Sequence, residues 1–212
     1  MASNVFGNPI TNSTLEGMPE YLDKTITRTD RAHVALNMKN AGGKDVNART
    51  YVENLKAAWG DGVSTLCVVY NATGDVVEFA TAHDWHGHIG AAPYPQIIEN
   101  GQWGAFLHVK TSGTATGSAA AVVYRGLNEN GNSCDWMLCW SIPWSTLGSH
   151  NHAYTEIREA YHMDNNSWEY VDNLVGEAGL QHKDKWNGCV STVIVGQNTS
   201  PVYEGIMTLT GA

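Results

Sequence analysis

The feature that most constrains this chain is a series of short apolar runs that begins after Gly62 and recurs about every ten residues. Turn-forming residues separate the runs, among them Asn71-Ala72-Thr73-Gly74 and Asn130-Gly131, which are typical of tight hairpins. Chains with this spacing form antiparallel β-sandwiches or barrels. The pattern predicts a mainly β fold, an antiparallel β-sandwich, with eight strands near residues 63–70, 76–83, 102–110, 117–125, 133–142, 152–158, 188–196 and 202–209.

The residues before this series have a helical periodicity instead. A first helix is expected to follow the N-cap Thr29 and to stop at Gly42-Gly43. A second helix is expected to begin at the cap Asp45 and to end after Trp59. The sequence therefore predicts a helical N-terminal extension over residues 1–61, packed on a β-sandwich domain over residues 62–212.

Charge and hydropathy limit the binding partners and the cellular location that we expect for this protein. The chain carries 12 Lys and Arg against 21 Asp and Glu, a net charge of −9, and this acidic excess lies entirely after residue 61. Since nucleic-acid binders present a basic face to phosphates, nucleic acid is not an expected partner. No apolar run reaches the roughly 18 residues of a membrane-spanning helix, and the amino terminus does not resemble a signal peptide. The expectation is a cytoplasmic protein that is not transmembrane.

A cluster of histidines follows the second predicted strand, in the stretch His83-Asp84-Trp85-His86-Gly87-His88. In an extended chain, His86 and His88 share a face, and with His83 they could bind a zinc or copper ion. The spacing is not that of a standard zinc motif. The alternatives are a ligand-binding loop that uses Trp85 and His86, or a solvated loop packed by aromatic residues.

Three tryptophans lie four residues apart in the fifth predicted strand and its exit. Trp136 and Trp140 fall on one face of the strand, which favours a place in the core. Trp144 follows Pro143 at the end of the strand, where an exposed ring could stack on a sugar, insert at a bilayer interface or pack against the body.

The residues give little indication of catalysis. Serine, cysteine and histidine are present, but the chain has no G-x-S-x-G nucleophile motif and no glycine-rich loop ending in G-K-[ST]. Glu156 and Arg158 alternate onto one face of a predicted strand, where we expect a structural ion pair.

Most of the chain resembles the plant 23 kDa jasmonate-induced proteins. The stretches that carry the resemblance are MASNVFGNPIT, NAGGKDVNA, YNATGD, HDWHGHIG, NGQWGAFLHV and YTEIRE. This resemblance implies a cytosolic plant protein induced by stress and wounding, and it names no biochemical activity.

A more distant resemblance, to the actinoporins, implies a specific kind of binding site. It rests on the order N-x-T-G, G-S-A-A-A-V-V-Y, W-S-I-P-W and an aromatic segment ending in Asn-Leu. Actinoporins are pore-forming proteins built on a compact β-sandwich that fungal fruit-body lectins share. The resemblance places Ser141 and Pro143 in a phosphocholine pocket, and Trp168 and Tyr170 in its aromatic region. Such a pocket holds a quaternary ammonium against ring faces while hydroxyl groups hold the phosphate.

These observations favour a non-catalytic, defence-related binding protein that recognises a phosphocholine-like lipid headgroup or a carbohydrate. Tryptophan and tyrosine rings would stack on the ligand, Ser141 and His86 would form hydrogen bonds, and Pro143 would shape the wall. The alternative is an enzyme of specialised metabolism, or a zinc or copper protein, that uses His83, His86 and His88. Apart from such a metal ion, no cofactor is expected. The residues do not indicate an oligomeric state. The expected ligand-binding residues are Trp85, His86, Ser141, Pro143, Trp144, Trp168 and Tyr170.

Overall fold

The computed structural model of the protein describes residues 4–145, 149–165 and 168–212. Within these residues the chain forms twelve β-strands and five α-helices. The strands are β1 (Val5–Phe6), β2 (Ser64–Ala72), β3 (Val77–His86), β4 (His88–Ile89), β5 (Ile97–Ile98), β6 (Trp103–Val109), β7 (Ser118–Leu127), β8 (Ser133–Ile142), β9 (His152–Glu159), β10 (Gln181–Trp186), β11 (Cys189–Val195) and β12 (Val202–Leu209). The helices are α1 (Asn12–Glu16), α2 (Arg28–Asn37), α3 (Lys44–Trp59), α4 (His162–Asn165) and α5 (Glu169–Glu177).

All eight predicted apolar runs form strands, each within three residues of the predicted bounds. They are β2, β3, β6, β7, β8, β9, β11 and β12. The sequence did not indicate β10, because its residues QHKDKW form no apolar run. Its side chains alternate between half-buried and exposed at the end of a sheet, where a polar strand is tolerated.

The strands of the described residues form two sheets. One has seven strands in the order β1-β6-β2-β12-β11-β10, with β4 also paired to β6, and the other has five in the order β5-β3-β7-β8-β9. We call them the seven-stranded sheet and the five-stranded sheet. They pack face to face around one apolar core, so the predicted mainly β sandwich is confirmed.

One pairing departs from the antiparallel prediction. β2 and β12 run parallel, with Val202 opposite Leu66 and Thr208 opposite Ala72. These strands are far apart in the chain, so no hairpin turn fixes their relative direction. On its other side, β12 pairs antiparallel with β11.

The core between the sheets contains the largest aromatic side chains. Trp136 and Trp140 are fully buried there, which confirms their predicted place. Trp140 packs against Phe106 and Tyr203 of the seven-stranded sheet, with ring centroids 5.9 and 5.4 Å apart. Contacts of this kind hold the two sheets together.

The N-terminal helices cover the outer face of the seven-stranded sheet. Ala35 of α2 and Val52 of α3 are buried against Tyr70 and Leu107. Both helices begin before the predicted caps. Thr27, not Thr29, caps α2: its hydroxyl accepts from the Asp30 N–H at 3.2 Å, and the Asp30 carboxylate accepts from the Thr27 N–H at 2.8 Å. This reciprocal pair is a capping box, which explains the earlier start.

The end of α2 and the start of α3 also differ from the predicted positions near Gly42-Gly43. α2 already ends at Asn37, before Gly42-Gly43, and α3 follows Gly43 directly rather than the expected cap Asp45. Gly43 has φ 68, a conformation that favours glycine. The division of the chain at residue 61 stays a prediction.

A second helical layer covers the outer face of the five-stranded sheet. Val171 and Val175 of α5 are buried there against Met137 and Cys139 of β8. The sequence indicated only an aromatic-rich stretch here. Across the described ranges, no helix is long and apolar enough to cross a membrane.

Candidate functional site

Three aromatic side chains, His83, Trp85 and Trp168, meet on the outer face of the five-stranded sheet, and we call them the aromatic cluster. The His83 ring stacks on Trp168, with centroids 4.9 Å apart and planes 6° from parallel. Trp85 meets both rings edge-on, 4.9 Å from His83 and 6.1 Å from Trp168. All three side chains are half-buried, so part of each ring remains open to a ligand.

The backbone of β3 brings two of these rings to the surface. A β-bulge lies between Asp84 and His86 in the pairing of β3 with β7. A bulge adds one residue to a strand and re-aims its side chain. The added residue here is Trp85, which packs on the same face as α5. Trp168 immediately precedes α5 and reaches the cluster because α5 docks on this face.

A row of polar side chains crosses the end of the same face, and we call it the polar row: His86, Ser141 and His152. His86 lies opposite Ala119, which lies opposite Ser141, which lies opposite His152. Directly paired residues in antiparallel strands point to one face. His86 is exposed and Ser141 is half-buried, while the Nδ1–H of His152 donates to the Ala178 carbonyl at 2.5 Å. On this face, the polar row therefore lies next to the paired residues His83 and Ala121.

Tyr170 packs against the same buried residues as Trp85 and Trp168, but its hydroxyl has partners of its own. Its hydroxyl is 3.3 Å from Glu156 Oε2 and 3.5 Å from the Met163 sulfur. Burial, and then the Glu156 carboxylate, raise the pKa of Tyr170 to about 12. The hydroxyl therefore stays protonated and donates to Glu156. Glu156 also pairs with Arg158 at 2.5 Å, the ion pair that the sequence predicted.

Pro143 and Trp144 lie beyond the end of β8. Trp144 is 47% exposed, and the Lys110 ammonium lies 4.5 Å from the centre of its ring. Lys110 also donates to the carbonyls of Thr111 and Thr114 at 3.3 and 3.0 Å. Because Lys110 follows β6 of the other sheet, Trp144 lies at the end of the sandwich and outside the aromatic cluster.

The structure separates the three histidines considered as metal ligands. His83 is stacked in the aromatic cluster, and His86 ends β3 in the five-stranded sheet. His88 lies in β4, which pairs with the seven-stranded sheet. Gly87, with φ 93, lets the chain cross from one sheet to the other. Within residues 4–145, 149–165 and 168–212, no three His, Cys, Asp or Glu side chains are placed to hold a metal ion, so the geometry gives the metal hypothesis no support.

Comparison with known proteins places this architecture in a family. The sequence profile of the Nakanori-like proteins matches residues 6–210. The chain belongs to the Nakanori-like family. A 23 kDa jasmonate-induced protein of Hordeum vulgare is 46% identical over 209 residues, which cover 97% of this Nakanori-like chain and 98% of that protein. The resemblance to jasmonate-induced proteins is thereby confirmed.

A solved structure shares the fold. The lipid binding protein Nakanori is 31% identical to this Nakanori-like chain and superposes with a TM-score of 0.87, over 96% of this chain and 98% of its own. A lectin of Xerocomus chrysenteron, 12% identical, superposes with a TM-score of 0.45 over 68% of this chain and 98% of its own. The likeness to Nakanori extends over both sheets and the helices that cover them.

The sequence did not indicate two contributors to the candidate site of this Nakanori-like chain. The first is α5, which delivers Trp168; Val171 and Val175, four residues apart, were the available signal. The second is His108, whose Nε2 lies 3.1 Å from the Asp84 carboxylate beside the aromatic cluster. No pattern singles out His108, because it lies within a strand that is buried throughout.

Proposed function

We propose that this protein is a non-catalytic lipid-binding protein that holds a phosphocholine-like headgroup between the aromatic cluster and the polar row. One observation carries the proposal: the half-buried rings of Trp85, His83 and Trp168 meet on the outer face of the five-stranded sheet. Ser141 lies on the same face, next to the residue pairs that include His83. A quaternary ammonium is attracted to aromatic ring faces, most strongly to tryptophan. The hydroxyl of Ser141 and the imidazole of His86 are suited to donate to phosphate oxygens.

The charge of the protein favours a zwitterionic headgroup over an anionic one. The chain carries a net charge of −9, so an anionic membrane surface repels it on approach. A phosphocholine headgroup carries no net charge and presents its ammonium outward, toward the rings. The similarity to Nakanori, a lipid binding protein, supports the same class of ligand.

Trp144 has a separate role in this proposal. Its exposed ring and the Lys110 ammonium lie at the end of the sandwich, beyond the strand that contains Ser141. Tryptophan and lysine side chains both favour the boundary between lipid headgroups and acyl chains. Trp144 enters this boundary when a headgroup occupies the site, and Pro143 shapes the wall between the two.

The helix α3 stays docked while lipid binds. Its Lys44 ammonium is buried and donates to the Tyr70 hydroxyl at 3.0 Å and to the Gly101 carbonyl at 2.7 Å. Arg49 pairs with Glu204 of β12. Release of the helix would break both contacts and expose the surface that it shares with the seven-stranded sheet. The protein therefore binds a membrane without inserting this helix.

Co-sedimentation with neutral phosphatidylcholine vesicles, with and without sterol, tests the proposal. We expect the wild type to sediment with the vesicles, and Trp85→Ala and Trp168→Ala to lose about tenfold or more in affinity. Leu22→Ala is the matched control, because Leu22 is exposed and apolar but lies outside the site. Equal binding of wild type and both tryptophan variants would contradict the site. Absence of vesicle binding together with binding to a glycan array would replace the lipid by a carbohydrate.

The biological setting extends the same proposal. The similarity to jasmonate-induced proteins supports a role in plant stress or defence. We place this role in the cytoplasm, where the protein would meet lipid headgroups exposed on damaged membranes. Fluorescent fusions followed before and after wounding would test it, and a fusion found only outside the cell would contradict it.

A further inference from the structure

A chain of hydrogen bonds passes between the two sheets directly beneath the aromatic cluster. Asp84 Oδ1 lies 3.1 Å from His108 Nε2, and His108 Nδ1 lies 2.8 Å from Ser118 Oγ. Ser118 Oγ lies 2.7 Å from Thr65 Oγ1. Asp84 and Ser118 belong to the five-stranded sheet, and His108 and Thr65 to the seven-stranded sheet. The chain therefore crosses the interface of the sandwich three times.

Burial determines the direction of these hydrogen bonds. The His108 side chain is fully buried, and desolvation, opposed by Asp84, lowers the pKa of its ring. A neutral imidazole has one N–H donor and one acceptor nitrogen, and a carboxylate only accepts. The Nε2–H of His108 therefore donates to Asp84, and Nδ1 accepts from the Ser118 hydroxyl. Thr65 donates in turn to Ser118, so each of the four side chains has a partner.

The same three residue types form the catalytic triad of many hydrolases, but this arrangement differs. Ser118 is fully buried, so its hydroxyl cannot meet a substrate. In a hydrolase triad, the carboxylate holds Nδ1 and the serine meets Nε2. Here the carboxylate holds Nε2 and the serine meets Nδ1. The hydrogen bonds therefore connect the two sheets and have a structural role.

This chain of hydrogen bonds ends at Asp84, which lies between His83 and Trp85 of the aromatic cluster. Asp84 turns toward His108, while its neighbours His83 and Trp85 turn outward to Trp168. The bulge of β3 begins directly after Asp84. A strand that slips by one residue exchanges its two faces. Holding Asp84 inward therefore keeps both rings outward.

We propose that Asp84 and His108 are positioning residues for the aromatic cluster: their hydrogen bond fixes the bulge of β3, and with it the orientation of the His83 and Trp85 rings toward Trp168. Neither residue touches the ligand. The inference rests on the proposed function only for its effect on binding, because the orientation of the rings is a property of the free protein.

Indole N–H signals in NMR spectra of the lipid-free protein provide the readout. In Asp84→Ala, we expect the signals of Trp85 and Trp168 to move or broaden and that of the core Trp136 to stay in place. Trp140 is not used as a reference, because its ring lies 5.4 Å from that of His108. Asp84→Asn retains a carbonyl oxygen that can accept from Nε2–H, so we expect near-wild-type signals. The nitrogen spectrum of His108 should show a protonated Nε2 and an unprotonated Nδ1.

Thr65→Val is the matched control, because it removes the last hydroxyl of the same buried chain without touching Asp84. We expect it to lower stability and to leave the Trp85 and Trp168 signals unchanged. Wild-type indole signals in Asp84→Ala would overturn the proposal. So would equal shifts in Thr65→Val, or a His108 protonated at Nδ1 alone.

Vesicle binding separates this proposal from the lipid proposal. If both hold, Asp84→Ala loses about tenfold in affinity for phosphatidylcholine vesicles and Asp84→Asn loses much less. If the indole signals respond as expected but the wild type binds no vesicles, the positioning role stands and the lipid ligand fails. If vesicle binding is unaltered in Asp84→Ala although the cluster signals have moved, the role of Asp84 in binding is overturned.

Discussion

The imidazole of His83 lies parallel to the indole of Trp168, with 4.9 Å between ring centroids, although the two residues come from a strand and from a helix distant in the chain. The stack joins α5 to β3 on the outer face of the five-stranded sheet. It leaves Trp85 edge-on beside both rings. A headgroup bound here, as we propose, would contact three rings whose positions are set before it arrives.

The stack leads to a prediction for Trp168. Trp168→Phe keeps an aromatic face, whereas Trp168→Ala removes it. We expect Trp168→Ala to lower the free energy of unfolding by about 1–3 kcal/mol, because a half-buried ring and its contacts are lost, and Trp168→Phe to lower it by less. Urea unfolding measures the difference. Equal losses in both variants would show that the aromatic contact contributes nothing.

Acid should weaken the fold through His108. Burial lowers the pKa of the folded ring below its unfolded value of about 6.5, so the unfolded chain binds more protons in the interval between the two values. Stability contributed by the neutral ring is therefore present above about pH 6.5 and is lost as pH falls toward the folded pKa, by about 1.4 kcal/mol for each unit between them.

The measurement is urea unfolding between about pH 7.5 and about pH 5.5, above the range in which carboxyl groups titrate. His108→Gln is the control, since it removes the titrating ring, and its stability should change less over this interval. A wild type that is equally stable or more stable at the acidic end would contradict the account.

Trp144 should separate membrane binding from headgroup binding. Trp144→Ala removes an exposed ring, so we expect a change in unfolding free energy of no more than about 0.5 kcal/mol. We expect it to reduce vesicle binding and to leave the binding of soluble phosphocholine unchanged, because Trp144 lies outside the aromatic cluster. Loss of phosphocholine binding in this variant would place Trp144 inside the site and contradict the arrangement described above.

Hydrogen exchange should show whether α3 remains in place. We expect the amides of the helix Lys44–Trp59 to be equally protected in the free and vesicle-bound protein, because Lys44, Arg49 and the buried face of the helix keep their contacts. Faster exchange confined to this helix on addition of vesicles would show instead that it detaches. Ile157 and its neighbours in β9 serve as the internal reference, since Ile157 lies in the core.

The sequence predicts the strands well because burial leaves a local pattern. Apolar runs such as those of β2 and β8 are buried along nearly their whole length, and the turn residues between runs limit them. What depends on distant partners was not predictable. The parallel pairing of β2 with β12 joins two strands that no hairpin turn connects, and the polar β10 is a strand only because β11 pairs with it.

Spacing indicated some of the residues that lie together in the candidate site, for the same physical reason, and their role in binding stays a prediction. Trp85 and Trp168 were expected to contact one ligand, and the structure brings their rings within 6.1 Å. Trp144 was expected beside them, but the chain turns after β8 and carries it to Lys110. The histidine run suggested a metal site, yet the crossing at Gly87 sends His88 to the other sheet. Spacing along one strand does not reveal such a crossing.

Titration with soluble phosphocholine, followed through the indole N–H signals, tests the central claim most directly. We predict saturable shifts of Trp85 and Trp168, weaker shifts with phosphoethanolamine, whose ammonium is smaller and more strongly hydrated, and none at the core residues Trp136 and Trp140. Phosphocholine that leaves Trp85 and Trp168 unmoved, or that shifts only signals elsewhere, would contradict the assignment of this face as the headgroup site.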